Sequence, residues 1–441
     1  MKKLFEIIRQ DNNNNNSLIS INEYDNSSIC IECNKKFYDK STLNTHIKNV
    51  HQNKKQICIF CSGEFKYINK HLKTCQYKRN QTKPSINHDI DINFIILKSS
   101  KIVLNNDIYY YPNILIGKGS SMSVCYGRSK RKNLDLAIKI HSCTEKNSHY
   151  LLFENYITQM MENYQGFPRN YGCFNSDNKI IIAQTLFGPN IRKLFDFCDQ
   201  KFTLRTICLI FIQSLNRLKN LHQFGFLHND INMQNLTWGC FSSGKLIKRE
   251  IINLIDFSLS SRYICPIFGK KKDKKNIIGY ETYPKEKIKT LYGTLAYLDK
   301  SVLDGYRQCR KTDLISLIYL IIEMFKGDLP WSEITKKELS EEIKDIKNIH
   351  KNIKLMELFS EIPSEFYMIY NELQKLNFDD EPEYDKYEKI ILDLLLRNGG
   401  NIGEKFCWEP KIEQIIEKNK NAKATFEEIQ NIYLLFGGSP R

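Results

Sequence analysis

The segment LDLAIKI sets one lysine, Lys139, inside a run that otherwise reads as an apolar strand. An ammonium taken out of water costs several kcal/mol unless a carboxylate meets it, so a fold that buries this strand has to bring an acid to Lys139. Glu154, in the helix-period stretch LLFENYITQMM, is placed to be that acid. The pair ties a strand to the helix that follows it, and few arrangements of the neighbouring chain satisfy it.

Three further segments add polar groups in a fixed order. LIGKGSSMSVCYG reads as strand, glycine-rich turn, strand, in which Gly117 and Gly119 let backbone amides approach phosphate oxygens and Val124, with Ala137 nearby, covers an adenine ring. Lys139 then reaches the nucleotide phosphates. In LHNDINMQNL, Asp230 is suited to orient a hydroxyl and accept its proton, and Asn235, five residues on, to hold a metal ion. INLIDFSLS places Asp256 at the end of an apolar strand, where it can chelate Mg²⁺ bridging the phosphates of ATP. Phosphoryl transfer asks little covalent chemistry of a protein, so positioning and charge neutralisation by these groups suffice.

The chain has 441 residues, enough for about three domains or for one large domain with small modules. Hydrophobic residues make up 41% and charged residues 26%, which excludes wholesale disorder and fibrous structure. The longest apolar stretch of the second half, Leu314 to Ile322, is far short of the roughly 20 residues of a membrane span. The N-terminus lacks the apolar region and cleavage site of a secretory signal. No membrane association and an intracellular location are expected, cytoplasm and nucleus being indistinguishable.

Charge is concentrated. Residues 30–79 carry 11 Lys/Arg against 3 Asp/Glu, and residues 268–290 carry 8 Lys against 3 acids, with KKKDKK at 270–275. These two stretches hold most of the net +15 and are where acidic partners would meet the protein.

The first basic stretch is also a Cys/His module. Cys30 and Cys33, then His46 and His51, have the spacing of a ββα-type Cys2His2 zinc finger with Phe37 and Leu43 as its small core. Cys58, Cys61, His71 and Cys75 form a second set, with Phe65 and Ile68. Units this small fold on the metal, so two structural Zn²⁺ ions are expected. The base-reading positions of the first finger fall on Asp39, Thr42 and Thr45, which cannot make the bidentate contact of arginine to guanine. Docking to a protein partner is therefore favoured over nucleic acid.

From about 110 to 410 the motifs resemble a protein kinase of the casein kinase I group: IGKGS, LAIKI, Gly166-Phe167-Pro168, LFGPNIRKLFDFC, FLHNDINMQN, LIDFSL, GTLAY, KTDLISLIYLI, GDLPW and FCW. The resemblance implies an α+β bilobal fold, with a small antiparallel-sheet lobe carrying one helix and a larger helical lobe. It also implies transfer of the ATP γ-phosphate to Ser/Thr of protein substrates. It makes Gln184 the gatekeeper, Thr185, Leu186 and Phe187 the adenine-contacting hinge, and Asp313 the brace of the catalytic loop. The implied organisation is an Asn-rich tail at 1–28, zinc fingers at 29–78 and a linker at 79–91. A kinase domain follows at 92–410, its lobes meeting near 187/188, and then a helical tail at 411–441.

Four departures from that pattern bear on activity. Met122 replaces the third glycine of the loop, Asn229 the catalytic-loop arginine, Asn232 the lysine two residues after Asp230, and Ser258 the glycine after Asp256-Phe257. Asn229 removes the usual pairing with a phosphorylated activation segment, and Asn232 removes a positive charge beside the transferring group. Losing one such donor costs about 3–4 kcal/mol, or roughly 10² to 10³ in rate. Ala296 stands where the family carries a phosphate-binding arginine, and the Lys-rich insert is positioned to compensate. The alternative reading is a weak or inactive pseudokinase scaffold whose zinc fingers do the work.

Overall fold

The computed structural model describes residues 102–418, apart from breaks at 105–106, 119–121, 143–147, 177–178, 243–244, 269–276, 289–290, 333 and 335–338, together with four two-residue strands between 28 and 65. The chain divides into two compact units, residues 1–95 with 266–281 and residues 96–265 with 282–441.

In the first unit β1 (Ser28–Ile29) pairs antiparallel with β2 (Lys36–Phe37), and β3 (Gln56–Ile57) with β4 (Glu64–Phe65). The eight expected zinc ligands, Cys30, Cys33, His46, His51, Cys58, Cys61, His71 and Cys75, lie outside the described residues.

The second unit opens with a six-stranded antiparallel sheet of β5 (Ile102–Leu104), β6 (Ile108–Lys118), β7 (Met122–Ser129), β8 (Leu134–Ser142), β9 (Asn170–Ser176) and β10 (Lys179–Thr185), in the order β5-β6-β7-β8-β10-β9. Strand alternation sorts β8 into two faces: Leu136 and Ile138 join Ile108, Tyr110, Cys125 and Ile181 in a core, and Ala137, Lys139 and His141 take the opposite side. Between β8 and β9 runs α1 (Ser148–Met161), which carries Glu154.

The helical part follows as α2 (Ile191–Phe197), α3 (Leu204–Gln223), α4 (Lys300–Leu303), α5 (Arg310–Lys326), α6 (Leu339–Asn352), α7 (Leu355–Leu358), α8 (Ser364–Lys375), α9 (Tyr384–Arg397) and α10 (Glu409–Lys418). Thr203 caps α3, accepting the Thr206 N–H at 3.3 Å. Every residue of α5 from Thr312 to Met324 is buried, so this helix is the axis of the lobe and shows no polar stripe. Among the described residues no helix is long and apolar enough to cross a membrane.

Two strand pairs interrupt the helices, β11 (Phe226–Leu227) with β14 (Ser261–Arg262) and β12 (Leu236–Ser242) with β13 (Lys245–Leu254); β15 (Ile264–Phe268) pairs with β16 (Ile277–Thr282), most of both strands lying in the first unit. The β12–β13 hairpin is the main element not expected from the sequence. The polar sequence between its strands carries no strand alternation, and its base is held by bonds from Leu254 N to Gly166 O and from Ile255 N to Asn235 O.

At the C-terminal end Trp408 is fully buried, with ring centroids 5.1 Å from Phe202, 5.9 Å from Trp238 and 4.6 Å from Phe406. Helix α10 starts directly after it and buries Ile412. The expected boundary at 410/411 thus falls inside a helix whose beginning packs with the large lobe.

His350 of α6 lies 4.0 Å from the Trp331 ring and 5.6 Å from Tyr319, and burial presses its pKa down to about 4. The unfolded chain protonates this imidazole first, so its contribution to stability is complete above pH 6.5 and is lost as pH falls towards 4. Urea titrations at stepped pH should show that loss, of the order of 3 kcal/mol, and it should shrink in His350→Phe.

Candidate active site

Lys139, Val124 and Gly117 lie side by side on adjacent strands, paired in register as Gly117 with Val124 and Val124 with Lys139. Among the described residues a Cβ built on Gly117 would meet only Val124, 3.8 Å away. Gly119 lies outside the described residues. The Lys139 ammonium, 5% exposed as a residue, bonds to Oε1 of the fully buried Glu154 and sits 3.1 Å from Asp256 Oδ1. Burial alone would lower the Lys139 pKa, but the carboxylates of Asp256 and Glu154 reverse it and hold the lysine above its ordinary value. Burial would likewise raise Asp256, yet Lys139 draws it down to about 2. Both groups are therefore charged at neutral pH.

His141, on the same face of β8 as Lys139, places Nε2 3.6 Å from Glu154 Oε2. The i+2 spacing from Lys139 was the signal for it in the sequence.

Asp256 adopts φ +67°, a left-handed conformation that aspartate tolerates better than most residues, and Ser258 N–H reaches its Oδ1 at 3.4 Å. The next residue, Phe257, is buried between Phe167, 6.1 Å away and stacked, and His228, 5.5 Å away and edge-on. His228 Nε2 lies 3.0 Å from the Ile255 carbonyl, so the imidazole braces the strand that ends in Asp256.

The loop carrying Asp230 is organised from below by Asp313 of α5. Its Oδ1 accepts the Asn229 N–H at 2.8 Å, and its Oδ2 accepts the His228 N–H at 2.8 Å and meets His222 Nε2 at 2.9 Å. Above that support, Asn235 Nδ2 donates to the Asp230 carbonyl at 2.8 Å and to Asp230 Oδ2 at 3.0 Å. Thr294 donates both N–H, at 2.9 Å, and Oγ1–H, at 2.7 Å, to Asp230 Oδ1. Asn232 donates to Thr294 Oγ1 at 3.2 Å and to the Asp230 carbonyl at 3.3 Å, while its Oδ1 accepts N–H groups of Gln234 and Asn235. The Asn235 carbonyl accepts Ile255 N–H at 3.0 Å, joining this loop to the strand that leads into Asp256.

Asn229 also has a left-handed backbone, φ +67°, and its amide donates to the Leu259 carbonyl at 2.7 Å and Ser261 Oγ at 2.9 Å. Its own carbonyl restricts Gly293: a Cβ there, at φ +106°, would stand 2.5 Å from Asn229 O. The following residues are fixed by Ser316 Oγ donating to the Tyr297 carbonyl at 2.7 Å, and Trp331 Nε1 to the Ala296 carbonyl at 2.7 Å.

On β10, Gln184 pairs with Ala137 across the sheet and donates Nε2–H to Thr158 Oγ1 of α1 at 3.1 Å. Thr185 exchanges bonds with Arg169, Leu186 is buried, and Phe187 bridges to Cys240. The expected groups thus fall into one set around Lys139 and another around Asp230, joined by the backbone between Asn235 and Asp256.

Residues 110–386 match the family model of the protein kinase domain. The chain belongs to the protein kinase family. The kinase fold accounts for the antiparallel sheet lobe and the helical lobe, makes the protein a phosphotransferase, and implies ATP, Mg²⁺ and protein substrates. Among the described residues of this kinase no group of three or more His, Cys, Asp or Glu side chains is placed to hold a metal ion, and the expected zinc ligands lie outside them.

Glu154→Leu should strand the Lys139 ammonium with Asp256 alone and lower the unfolding free energy by about 3–5 kcal/mol, read by urea denaturation. The double variant Lys139→Met/Glu154→Leu should recover part of that loss, since it leaves no buried ammonium unpaired and Asp256 keeps the Ser258 N–H.

Proposed function

We propose that the protein is a serine/threonine kinase of casein kinase I type, in which Lys139 and Glu154 position the triphosphate, Asp230 receives the substrate hydroxyl proton, and Asn235 and Asp256 hold Mg²⁺. The observation that carries this reading is the juxtaposition just described, two carboxylates about Lys139 and a hydrogen-bonded Asp230. The oxygens fit the ion: Asn235 commits its amide nitrogen to Asp230, leaving Oδ1, and Asp256 engages Lys139 and Ser258 through Oδ1, leaving Oδ2. Hard oxygen donors of this kind suit Mg²⁺. The ion neutralises phosphate charge when bound. Gly117, Gly119, Val124, Ala137 and the segment Gln184 to Phe187 are the proposed nucleotide contacts.

Asp230 is held ready for a hydroxyl. Thr294 and Asn235 fix its two oxygens on different sides, which costs no reorganisation when a substrate arrives. Asn232 spans Thr294 and the Asp230 carbonyl, keeping the loop's shape while contributing no positive charge. The reading is therefore a slow kinase with an intact frame. The pseudokinase reading rests on that missing charge, with Met122 and Ser258.

The N-terminal module is proposed as two zinc fingers that dock a protein partner, with nucleic acid as the less favoured ligand. The short pairs β1–β2 and β3–β4 each flank a Cys-x-x-Cys in the sequence, the pattern of a knuckle that presents two thiolates to one ion.

With Mg²⁺ and ATP the protein should phosphorylate itself or casein on serine and threonine, and Asp230→Asn should abolish that. Equal incorporation by the two proteins would establish the scaffold reading instead. Asn232→Lys should raise kcat by roughly 10² with little change in KM for ATP. Elemental analysis of the full chain should find two zinc ions per molecule, falling to one in Cys30→Ser/Cys33→Ser.

A further inference from the structure

Asn216, Lys219 and His222 recur every third residue along one face of α3, and each meets the beginning of α9. Asn216 donates to Glu388 Oε1 at 2.9 Å, Lys219 pairs with Asp385, and His222 Nδ1 lies 2.6 Å from the Tyr384 hydroxyl. The partners follow in reverse order along α9, so the two helices lie antiparallel at this contact and the ladder fixes where α9 starts. The Lys219–Asp385 rung is partly exposed, and such pairs stabilise little. The innermost rung is out of water, with Tyr384 6% exposed and His222 1% exposed. A second tyrosine, Tyr263, donates its hydroxyl to the His222 carbonyl at 2.7 Å and pins the backbone of the same residue.

Chemistry fixes the protons of the inner rung. Asp313 accepts backbone N–H groups on both oxygens, from Asn229 on Oδ1 and from His228 on Oδ2, and Oδ2 also faces His222 Nε2 at 2.9 Å. A carboxylate accepts and does not donate, so Nε2 carries a proton. Burial holds the His222 pKa below its ordinary value, which keeps the ring neutral and leaves a lone pair on Nδ1. Tyr384 keeps its proton, because burial pushes the phenol well above its ordinary value, and donates it to that lone pair. Donors therefore converge on Asp313 from two sides: Tyr384 through His222 on one, and the two amides next to Asp230 on the other.

We propose that Tyr384 is a positioning residue for Asp230: from the first turn of α9 it fixes the tautomer and the ring orientation of His222, which holds the Asp313 carboxylate where the His228 and Asn229 amides bind. The role of Asp230 rests on the kinase reading above, whereas the hydrogen-bonded relay stands without it. Removing the Tyr384 hydroxyl leaves Nδ1 buried with no donor, a state costly enough to turn the ring away from Asp313. The carboxylate then loosens its hold on the two loop amides. Lys139, Glu154 and Asp256 are not part of this relay, so the phosphate side of the site keeps its arrangement.

Nitrogen-15 spectra of the full chain labelled on histidine, assigned with His222→Gln, should show His222 as the neutral tautomer protonated at Nε2. Tyr384→Phe keeps the ring and its packing; it should speed hydrogen exchange of the His228 and Asn229 amides by about tenfold and leave Ile138 on β8 unchanged. Its autophosphorylation kcat should fall by roughly fivefold with the KM for ATP within about twofold of wild type. His222→Gln, whose side-chain N–H still reaches Asp313, should retain most of the activity that His222→Phe loses. Asp230→Asn should abolish turnover with both amides still protected, so failure of the kinase reading and failure of the relay give different results. A His222 ring protonated at Nδ1, unchanged exchange at His228 and Asn229 in Tyr384→Phe, or faster exchange there with kcat unaltered would each overturn the proposal.

Discussion

One carboxylate in the first turn of α5 sets the geometry of everything above it. Asp313 takes two consecutive backbone N–H groups, those of His228 and Asn229, and the ring of His222, all inside the lobe and out of water. A buried carboxylate is tolerable only when donors surround it, so the helix axis, the end of α3 and the catalytic loop have to arrive at one point. His222 in turn meets Tyr384 of α9 at 2.6 Å, which brings a fourth element into the same network. Asp230 then projects from a loop whose backbone has no freedom left to relax.

The departures from the common kinase pattern read differently once this frame is in view. Asn229 stands where an arginine usually does, yet it still ties the catalytic loop to the chain after Asp256, through its amide to Leu259 O and Ser261 Oγ. That tie needs no phosphate. Arg262, a little further along, donates to the Tyr156 hydroxyl of α1 at 3.2 Å and lies 5.1 Å from the Phe226 ring, so the same segment also holds the helix that carries Glu154. Asn232 likewise keeps the contacts to Thr294 and to the loop backbone. In each case neutral amide hydrogen bonds retain the shape, and what is lost is charge.

Much of this was legible beforehand because the groups involved obey local rules. Lys139 announced its burial by the strand around it, and Glu154 by its helix. The helices expected over 203–222 and 313–325 are observed at Leu204–Gln223 and Arg310–Lys326. Contacts that join remote segments without a local pattern were not legible. The sequence assigned no role to the Arg192 bond to Glu323, the Tyr297 hydroxyl on that same carboxylate, or the meeting of Trp238 with Trp408. Each depends on where whole elements pack, which periodicity does not encode. The consequence at the C-terminal end is specific: the FCW motif was readable as family likeness, while its burial as the continuation into α10 was not.

Retaining shape while shedding charge has a direct energetic reading. Hydrogen bonds from asparagine amides contribute through geometry and fall off steeply with distance, so they fix Asp230 and Thr294 and add little field at the phosphoryl group. A lysine at 232 would act at longer range, on the charge that develops as the phosphoryl group transfers. Ground-state architecture and transition-state stabilisation are therefore separable in this protein: the first is complete without the second. What positive charge remains at the described site is Lys139, shared between Glu154 and Asp256 and held protonated by both. In the proposed reading, phosphoryl transfer draws on that cation and on the ion that accompanies ATP.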